Sequence, residues 1–410
     1  MKEKKSGLVI FLTIMAVVVG LALVALVSFI VFRIYKDEKA AKESATTETV
    51  LSADIEEVVE PATPAEPATA TDADADEMAR GYKLYKFERD GNSIHLPQAD
   101  PTLAMNDANV DGETSENDEV PKGSSWDKNS LVLSPVEGST NYASPGDASK
   151  TGMLTSSYMI LVDLDEDRTV VERDADVVVS PASMTKVLTL LTARDHIDES
   201  NLDDKFTITA EICEYVNKNN ASAVGFQPDD EVTVRDLLYG TILCSGADAA
   251  LGLAEYCCGS EEAFVEEMNK KCEELEISDT AHFTNVVGMY DPDLHCTMRD
   301  MAIIMSVAVQ DDMCLDILSK HTYLTSITTE DWPDGIEISN WFLRRIEDKY
   351  TDGEVVAAKT GFVNESGCCA VSYYVSKNGK RYICVTGNAF STWRSIYDHV
   401  GVYRSYTQID

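Results

Sequence analysis

The sequence predicts one α+β domain in the C-terminal part of the chain, preceded by one transmembrane helix and a disordered linker. Strand patterns occur at both ends of this domain, at 157–172 and 354–387, and helical patterns fill the region between them. Strands at both ends with helices between them favour an antiparallel sheet joined to a helical subdomain. We therefore expect a cytoplasmic stub and anchor at 1–36, a linker at 37–150 and the folded domain at 151–410.

The N-terminal region contains an uncharged apolar run at 7–32. As a helix it would be about 39 Å long at about 1.5 Å per residue, more than the hydrocarbon thickness of about 30 Å. A cleaved signal peptide would have a shorter apolar core ending in small residues, whereas this run ends in Ser28-Phe29-Ile30-Val31-Phe32. We expect an uncleaved, single-pass anchor in the cell membrane, with the rest of the chain extracytoplasmic.

The linker and the overall charge restrict the partners of the protein. Residues 37–80 are rich in Ala, Thr, Glu, Asp and Pro, a composition that cannot bury enough apolar surface to offset its ordering entropy. Residues 81–150 are polar and rich in turn formers, with room for a short strand or docking segment. The chain has 71 acidic and 34 basic residues, a net charge of −37. This charge excludes nucleic acid as a partner, because phosphates would be repelled.

Periodicity defines the elements of the folded domain. Two strands near 157–163 and 169–172 flank an acidic turn, which predicts a hairpin. Ser180 as cap and Pro181 at the first helical position predict a helix whose buried face contains Met184, Val187, Leu188 and Leu191. Further helices are predicted at 234–258, 261–275, 297–309 and 392–405, and further strands at 354–361, 368–376 and 380–387.

The first chemical motif is Ser183-Met184-Thr185-Lys186. Residues three apart share one face of a helix, so the Lys186 amine is expected beside the Ser183 hydroxyl. A serine hydroxyl is a weak nucleophile until a base takes its proton, and a lysine can be that base if burial lowers its pKa. The first turn of the helix would also favour developing negative charge at Ser183.

The second motif is Lys359-Thr360-Gly361, at the end of an apolar run typical of a strand. The Lys359 ammonium can hold a carboxylate of a ligand, the Thr360 hydroxyl can share that contact, and Gly361 allows another backbone to approach closely. The N–H of Phe362 can join that of Ser183 as an oxyanion hole. Each motif alone is weak, but their order and separation of about 170 residues are specific.

Together the motifs resemble the active-site set of serine β-lactamases and penicillin-binding proteins, with Ser245 in the middle element. The chain from 157 to 405 resembles in particular the low-molecular-mass penicillin-binding proteins that are D-alanyl-D-alanine carboxypeptidases. The segments that carry this resemblance are Pro181 to Lys186, Leu237 to Gly246, Phe283 to Gly288, Asp291 to Ala302 and Ala358 to Gly361.

The resemblance implies a β-lactamase/transpeptidase-like fold and a role for each motif residue. Ser183 would be the acylated nucleophile, Lys186 its base, and Ser245 the relay of a proton to the leaving amine. Lys359, Thr360 and Gly361 would bind the terminal carboxylate of a peptidoglycan stem peptide, and β-lactams would acylate Ser183. No metal or organic cofactor is implied, and the sequence gives no oligomeric state. Many relatives carry a small C-terminal β domain and a C-terminal membrane anchor. In this chain we expect the N-terminal helix at 7–32 to be the membrane anchor instead.

The chain departs from the family pattern at Ala247, where relatives usually have an asparagine that contacts the catalytic lysine and the substrate. Alanine supplies no hydrogen bond, a loss of about 1–3 kcal/mol if nothing replaces it. Asp248 and a backbone group are the candidate replacements. Two other functions stay open: a serine β-lactamase, which would need a deacylating carboxylate after the middle motif, and a non-catalytic wall-binding or sensor domain, supported by Ala247 alone.

The cysteines and histidines are expected to be structural. All ten cysteines lie between 213 and 384, and none forms a CxxC pair with zinc-finger spacing. Export permits disulfides, but most of these cysteines lie in apolar runs, where a free thiol behaves as a small buried hydrophobe. His282 and His295 have no partners at metal-ligand spacing, which favours a packing role.

Overall fold

The structure is a computed structural model that describes residue 77 and the ranges 80–96, 154–328, 332–389 and 391–407. The predicted transmembrane run at 7–32 and most of the predicted linker lie outside these residues. Within the described ranges, no helix has both the length and the apolarity needed to cross a membrane. All of the described residues belong to one unit of the chain, Ala70–Asp410.

The central feature is a six-stranded sheet with the strand order β1-β3-β2-β10-β9-β8. Its strands are β1 (Ile94–His95), β2 (Tyr158–Asp163), β3 (Arg168–Arg173), β8 (Gly353–Val363), β9 (Gly367–Ser376) and β10 (Arg381–Ala389). Neighbouring strands are antiparallel except for β1 and β3, which are parallel. The antiparallel sheet built from both ends of the domain, and the β2–β3 hairpin, are therefore confirmed.

Two buried faces follow from the alternation of side chains along the strands. Ile160 and Val162 of β2 join the larger core with the helices, whereas Met159 and Leu161 join a second core on the opposite face. Helix α6 (Met298–Ala308) packs on the first face of the sheet, and helix α9 (Thr392–Tyr406) packs on β9 and β10 from the second. The sheet is thus covered on both sides by helices.

The helical part holds the segments between β3 and β8. Its helices and short strands are α1 (Thr185–Arg194), β4 (Lys205–Thr207), α2 (Ala210–Asn219), β5 (Glu231–Thr233), α3 (Val234–Leu243), α4 (Ala247–Cys258), α5 (Glu261–Glu274), α7 (Asp312–Ser319), β6 (Thr322–Leu324), β7 (Glu337–Ser339) and α8 (Trp341–Ile346). Sequence periodicity missed α2, α7, α8 and the four short strands.

The helix predicted at 234–258 is wrong in one respect, because the structure divides it into α3 and α4. Cys244 ends α3, and Ser245 adopts a left-handed backbone with a φ of 61°. Gly246 then caps α4, and its N–H donates back to the Gly240 carbonyl at 2.9 Å. A left-handed residue cannot continue a right-handed helix, so the chain turns here and presents Ser245 between the two helices.

A segment expected to belong to the linker packs on the domain. Phe87 is fully buried and stacks on Tyr85 with ring centroids 5.2 Å apart. The Phe87 carbonyl accepts hydrogen bonds from Thr169 and Arg299, and β1 pairs with β3. Residues 80–96 therefore form part of the folded unit. They contain the short strand and docking segment that the sequence allowed within 81–150. All ten cysteines lie in the described part of the chain and are free thiols.

We expect Phe87→Ala to destabilise the full-length protein by about 3–5 kcal/mol, the usual cost of removing a buried phenylalanine side chain. Urea denaturation in detergent measures the change in unfolding free energy. Ile94→Ala is the matched control, because Ile94 lies in the same segment but is 40% exposed. If Phe87→Ala lowers the unfolding free energy no more than Ile94→Ala does, residues 80–96 are not part of the stable fold.

Candidate active site

Ser183 lies in a tight turn that leads into α1. Residues Ala182–Met184 form a 3-10 turn, and the α-helix begins only at Thr185. The predicted cap at Ser180 and helical start at Pro181 are therefore wrong, and Ser183 precedes the first α-helical turn. The physical reason is Ala182, whose left-handed backbone with a φ of 48° cannot belong to a right-handed helix. Ser183 is consequently held at a strained entry to the helix.

Lys186 lies beside Ser183, as the motif spacing predicted. The Lys186 Nζ atom is 3.1 Å from Ser183 Oγ and donates to the Val287 carbonyl at 2.6 Å. Only 2% of the lysine is exposed. Burial and then the nearby Lys359 charge hold the pKa of Lys186 well below 10.5. Both causes disfavour the ammonium and therefore favour the neutral amine that a general base requires.

Lys359 and Ser245 form the second polar pair. The Lys359 Nζ atom donates to Ser245 Oγ and to the Thr360 carbonyl, each at 2.9 Å. Burial lowers the pKa of Lys359 to about 7. Because its partners are a hydroxyl and a carbonyl rather than a carboxylate, an anionic ligand near Thr360 would stabilise the Lys359 ammonium.

The end of β8 approaches Ser183 closely. A side-chain carbon added to Gly361 would lie 2.9 Å from the Ser183 backbone nitrogen and 3.0 Å from the Pro181 carbonyl oxygen. Strand β8 is the last in the sheet order, so one of its edges is not paired with another strand of this sheet. Gly361 thus lies next to the Ser183 amide, and Phe362 is the next residue along the strand, so the oxyanion hole formed by Ser183 and Phe362 stays a prediction.

These side chains line one cleft of about 650 Å³. Six of the seven predicted site residues line it, and Lys359 is linked to it through the hydrogen bond to Ser245. The six are Ser183, Lys186, Ser245, Thr360, Gly361 and Phe362. No group of three or more His, Cys, Asp or Glu side chains in the described ranges is arranged to hold a metal ion.

The structure shows what surrounds Lys186 beside Ala247. The Asp248 carboxylate accepts from the N–H groups of Val224, Gly225 and Phe226, and therefore shapes the neighbouring loop rather than contacting Lys186. A backbone group, the Val287 carbonyl, is the acceptor that Lys186 has in addition to Ser183. Of the two candidate replacements, the backbone group is the one in contact with the lysine.

The loop that carries Val287 was missed by sequence reasoning as a functional element. Gly288 has a φ of 76°, and a side-chain carbon on it would lie 2.0 Å from the Ala182 carbonyl oxygen. The loop therefore packs directly on the turn that holds Ser183. The sequence signal was the segment Asn285 to Gly288, which is part of the family resemblance. The contact itself could not be read from the sequence, because any residue type has a backbone carbonyl.

His282 and His295 form a backbone bridge, with each N–H donating to the carbonyl of the other at 2.8 Å. Their ring centroids are 6.2 Å apart. Neither residue lines the cleft that contains Ser183. The His282 side chain is exposed and that of His295 is half-buried, so the structural contribution of this pair is its backbone bridge.

Comparison with known proteins gives matches by family, sequence and structure. A family model described as D-alanyl-D-alanine carboxypeptidase matches residues 146–391. The D-alanyl-D-alanine carboxypeptidase DacF of Bacillus subtilis (strain 168) is 32% identical over 145 residues, which is 35% of this chain and 36% of the relative. DacC of Escherichia coli (strain K12), with the same description, is 33% identical over 156 residues, covering 37% and 39% of the two chains. These alignments thus span less than two fifths of each relative.

A solved structure shows the same fold. The crystal structure of the Streptomyces K15 DD-transpeptidase superimposes with a TM-score of 0.56 and 26% identity. The match covers 62% of this chain and 97% of the transpeptidase. The likeness therefore extends over nearly the whole of that smaller protein.

We expect Gly288→Ala to destabilise the protein far more than Gly259→Ala. Both glycines have a left-handed backbone, with φ values of 76° and 81°, but an added carbon at Gly259 meets nothing within 4 Å. The control therefore carries only backbone strain of about 1–2 kcal/mol, whereas Gly288→Ala also displaces the turn before Ser183. Urea denaturation measures the unfolding free energy of both variants. An equal decrease in the two would contradict the close packing of Gly288 on Ala182.

Proposed function

Because this chain belongs to the D-alanyl-D-alanine carboxypeptidase family, we propose that it removes the terminal D-Ala from peptidoglycan stem pentapeptides. The observation that carries the proposal is the buried Lys186 amine 3.1 Å from the Ser183 hydroxyl, in a cleft that also contains Ser245 and Thr360. The β-lactamase/transpeptidase-like α+β fold predicted from the sequence is confirmed. The enzyme is a serine-type hydrolase.

In the first half of the reaction, Ser183 Oγ attacks the carbonyl carbon of the penultimate D-Ala. The hydroxyl proton passes to the neutral Lys186 amine, and the carbonyl oxygen becomes an oxyanion facing the N–H groups of Ser183 and Phe362. The peptide C–N bond then breaks, and the leaving amine takes a proton relayed through Ser245. The products are free D-Ala and an ester on Ser183.

In the second half, water attacks the ester carbonyl. Lys186 again accepts a proton, the bond to Ser183 Oγ breaks, and the serine recovers its hydrogen. In the first half of the reaction, until D-Ala leaves, Lys359, Thr360 and Gly361 hold the C-terminal carboxylate of the substrate. The pKa of Lys359, lowered to about 7 by burial, leaves the ammonium available to that carboxylate near neutral pH.

The same chemistry makes β-lactams inhibitors of the proposed enzyme, since Ser183 would open the lactam ring and retain the acyl group. A β-lactamase would instead need a carboxylate placed to activate the deacylating water. No carboxylate of the described segment 283–300 lines the cleft. Glu365 does line the cleft, but it follows the Lys359-Thr360-Gly361 motif and does not lie after the middle motif, where a deacylating carboxylate was expected. The non-catalytic wall-binding alternative rested on Ala247, which gives Lys186 no hydrogen bond. The Val287 carbonyl is a polar partner of Lys186 all the same, which weakens that alternative.

A fluorescent penicillin incubated with the full-length protein tests the proposed function. We expect a stable covalent label on the parent and none on Ser183→Ala, followed by release of D-Ala from a pentapeptide by the parent alone. Ser222→Ala is the matched control, because Ser222 lines the same cleft without a proposed role.

Rapid loss of the label from the parent would favour the β-lactamase function. Absence of any label, or equal labelling of Ser183→Ala, would contradict the assignment of the nucleophile and favour the wall-binding alternative.

We also propose that residues 7–32 anchor the enzyme in the cell membrane, with the catalytic domain extracytoplasmic. The apolar run is uncharged and longer than the hydrocarbon core requires. The acidic segment after it would let the domain reach from the membrane into the wall.

We expect the full-length chain to remain in the membrane fraction after an alkaline carbonate wash, and a chain lacking residues 2–36 to be released. The two forms are compared by immunoblotting of both fractions. N-terminal sequencing of the membrane form controls for processing, and a mature N-terminus beyond residue 32 would show that the run is a cleaved signal peptide instead.

A further inference from the structure

The Lys186 amine has few polar partners in its buried position. Within the described residues, its hydrogen bonds are those with Ser183 Oγ and with the Val287 carbonyl. Ala247, which is also buried and lines the same cleft, has no polar side-chain atom to offer. The orientation of the amine therefore depends on one backbone carbonyl in addition to the nucleophile itself.

The chemistry of that carbonyl determines what it does to the lysine. A carbonyl oxygen can only accept, so an amine N–H must point toward Val287. In the structure Lys186 Nζ donates to Ser183 Oγ at 3.1 Å, and Ser183 Oγ donates to the Val287 carbonyl at 3.4 Å. A neutral amine has one N–H fewer, so its lone pair can take the position that faces Ser183 Oγ while an N–H stays on Val287. A lysine amine rotates easily about its terminal bond, and a fixed acceptor at 2.6 Å disfavours the orientation in which the lone pair would face Val287 instead of Ser183.

The position of the Val287 carbonyl is set by the side chain of Asn285. Asn285 Oδ1 accepts from the N–H groups of Val287 at 3.3 Å, Gly288 at 2.7 Å and Met289 at 3.1 Å. Asn285 Nδ2 donates to the Met289 carbonyl at 3.0 Å. One half-buried amide thus closes the whole 285–289 turn, with both its acceptor and its donor in use.

Other contacts attach this turn to the helices around the cleft. Thr189 of α1 donates to the Val286 carbonyl at 2.8 Å, and Glu261 of α5 accepts from the Val286 N–H at 3.1 Å. Gly288 packs on the Ala182 carbonyl. The turn is therefore fixed to the same helix that carries Lys186, and Asn285 sets its internal shape.

We propose that Asn285 is a positioning residue for catalysis, which holds the Val287 carbonyl where it orients the Lys186 amine toward Ser183. This inference rests on the proposed function for its catalytic consequence. Asn285 acts through the backbone and does not contact the reacting atoms in this account.

Two substitutions of Asn285 test the proposal in the full-length protein. Asn285→Ala removes all four hydrogen bonds, and we expect the rate of acylation by penicillin to fall about 10- to 100-fold, part of the 10²- to 10⁴-fold that a positioned base contributes. The penicillin concentration that gives half the maximal acylation rate should change little, because penicillin binding does not use the amine lone pair.

Asn285→Asp keeps an acceptor for the three N–H groups and adds a negative charge to the turn whose Val287 carbonyl contacts Lys186. A nearby anion stabilises the ammonium and raises the pKa of Lys186, and the amine acts as a base only above that pKa. The acidic limb of the acylation rate profile should therefore move to higher pH in Asn285→Asp than in the parent. A role confined to folding stability would not move this limb.

Asn269→Ala is the matched control for loss of stability. The Asn269 side chain makes three hydrogen bonds that anchor the same segment at Phe283 and to Val265, away from Val287. We expect its melting temperature to fall as much as that of Asn285→Ala, with an acylation rate within about twofold of the parent.

Equal slowing of acylation by Asn269→Ala and Asn285→Ala would overturn the proposal, as would an unmoved acidic limb in Asn285→Asp. If Asn285→Ala does not fold, the acylation rate of Asn285→Asp on the plateau above the acidic limb decides, because this variant lacks the Nδ2 donor to the Met289 carbonyl and the added charge no longer limits the base there. If the parent itself is not acylated, the proposed function is wrong. The Asn285 proposal is then tested by following the titration of Lys186 by NMR. The pKa of Lys186 must be higher in Asn285→Asp than in the parent.

Discussion

The burial of the Lys186 amine is the constraint on which the rest of the site depends. Removing a lysine from water disfavours its charged form, and the neighbouring Lys359 adds a second unfavourable interaction. The neutral amine still needs a hydrogen-bond acceptor, because an unsatisfied buried polar group is costly. The Val287 carbonyl meets that need, and the 285–289 turn that carries it packs on Ala182 and α1.

The cleft is also where the backbone is strained. Ala182, Ser245 and Gly288 all have a positive φ, and each lies at a contact between separate segments of the chain. Such conformations cost about 1–3 kcal/mol for residues other than glycine and persist only when the surrounding structure holds them. The buried α1 helix and the end of β8 provide that support, so the fold brings Ser183, Ser245 and Lys359 together despite the large separations in sequence.

Local patterns predicted the parts of the site that depend on residue type and short spacing. Ser183 and Lys186 are three residues apart, and Lys359 to Phe362 follow a recognisable strand, so their proximity could be expected from the sequence. The break at Ser245 was not predicted, because the apolar helical pattern continues through it and tertiary packing overrides local propensity. The role of Val287 could not be predicted either, since its side chain plays no part and only the folded turn places its carbonyl.

The most direct test of this account is the titration of Lys186 by NMR in protein labelled with ¹⁵N-lysine, with the signal assigned by its absence in Lys186→Arg. We expect the pKa of Lys186 to lie well below 10.5. The same amine should also show a persistent hydrogen bond to the Val287 carbonyl oxygen. A Lys186 signal that remains that of an ammonium up to pH 10 would contradict the central claim, because the base would then be protonated wherever the enzyme works.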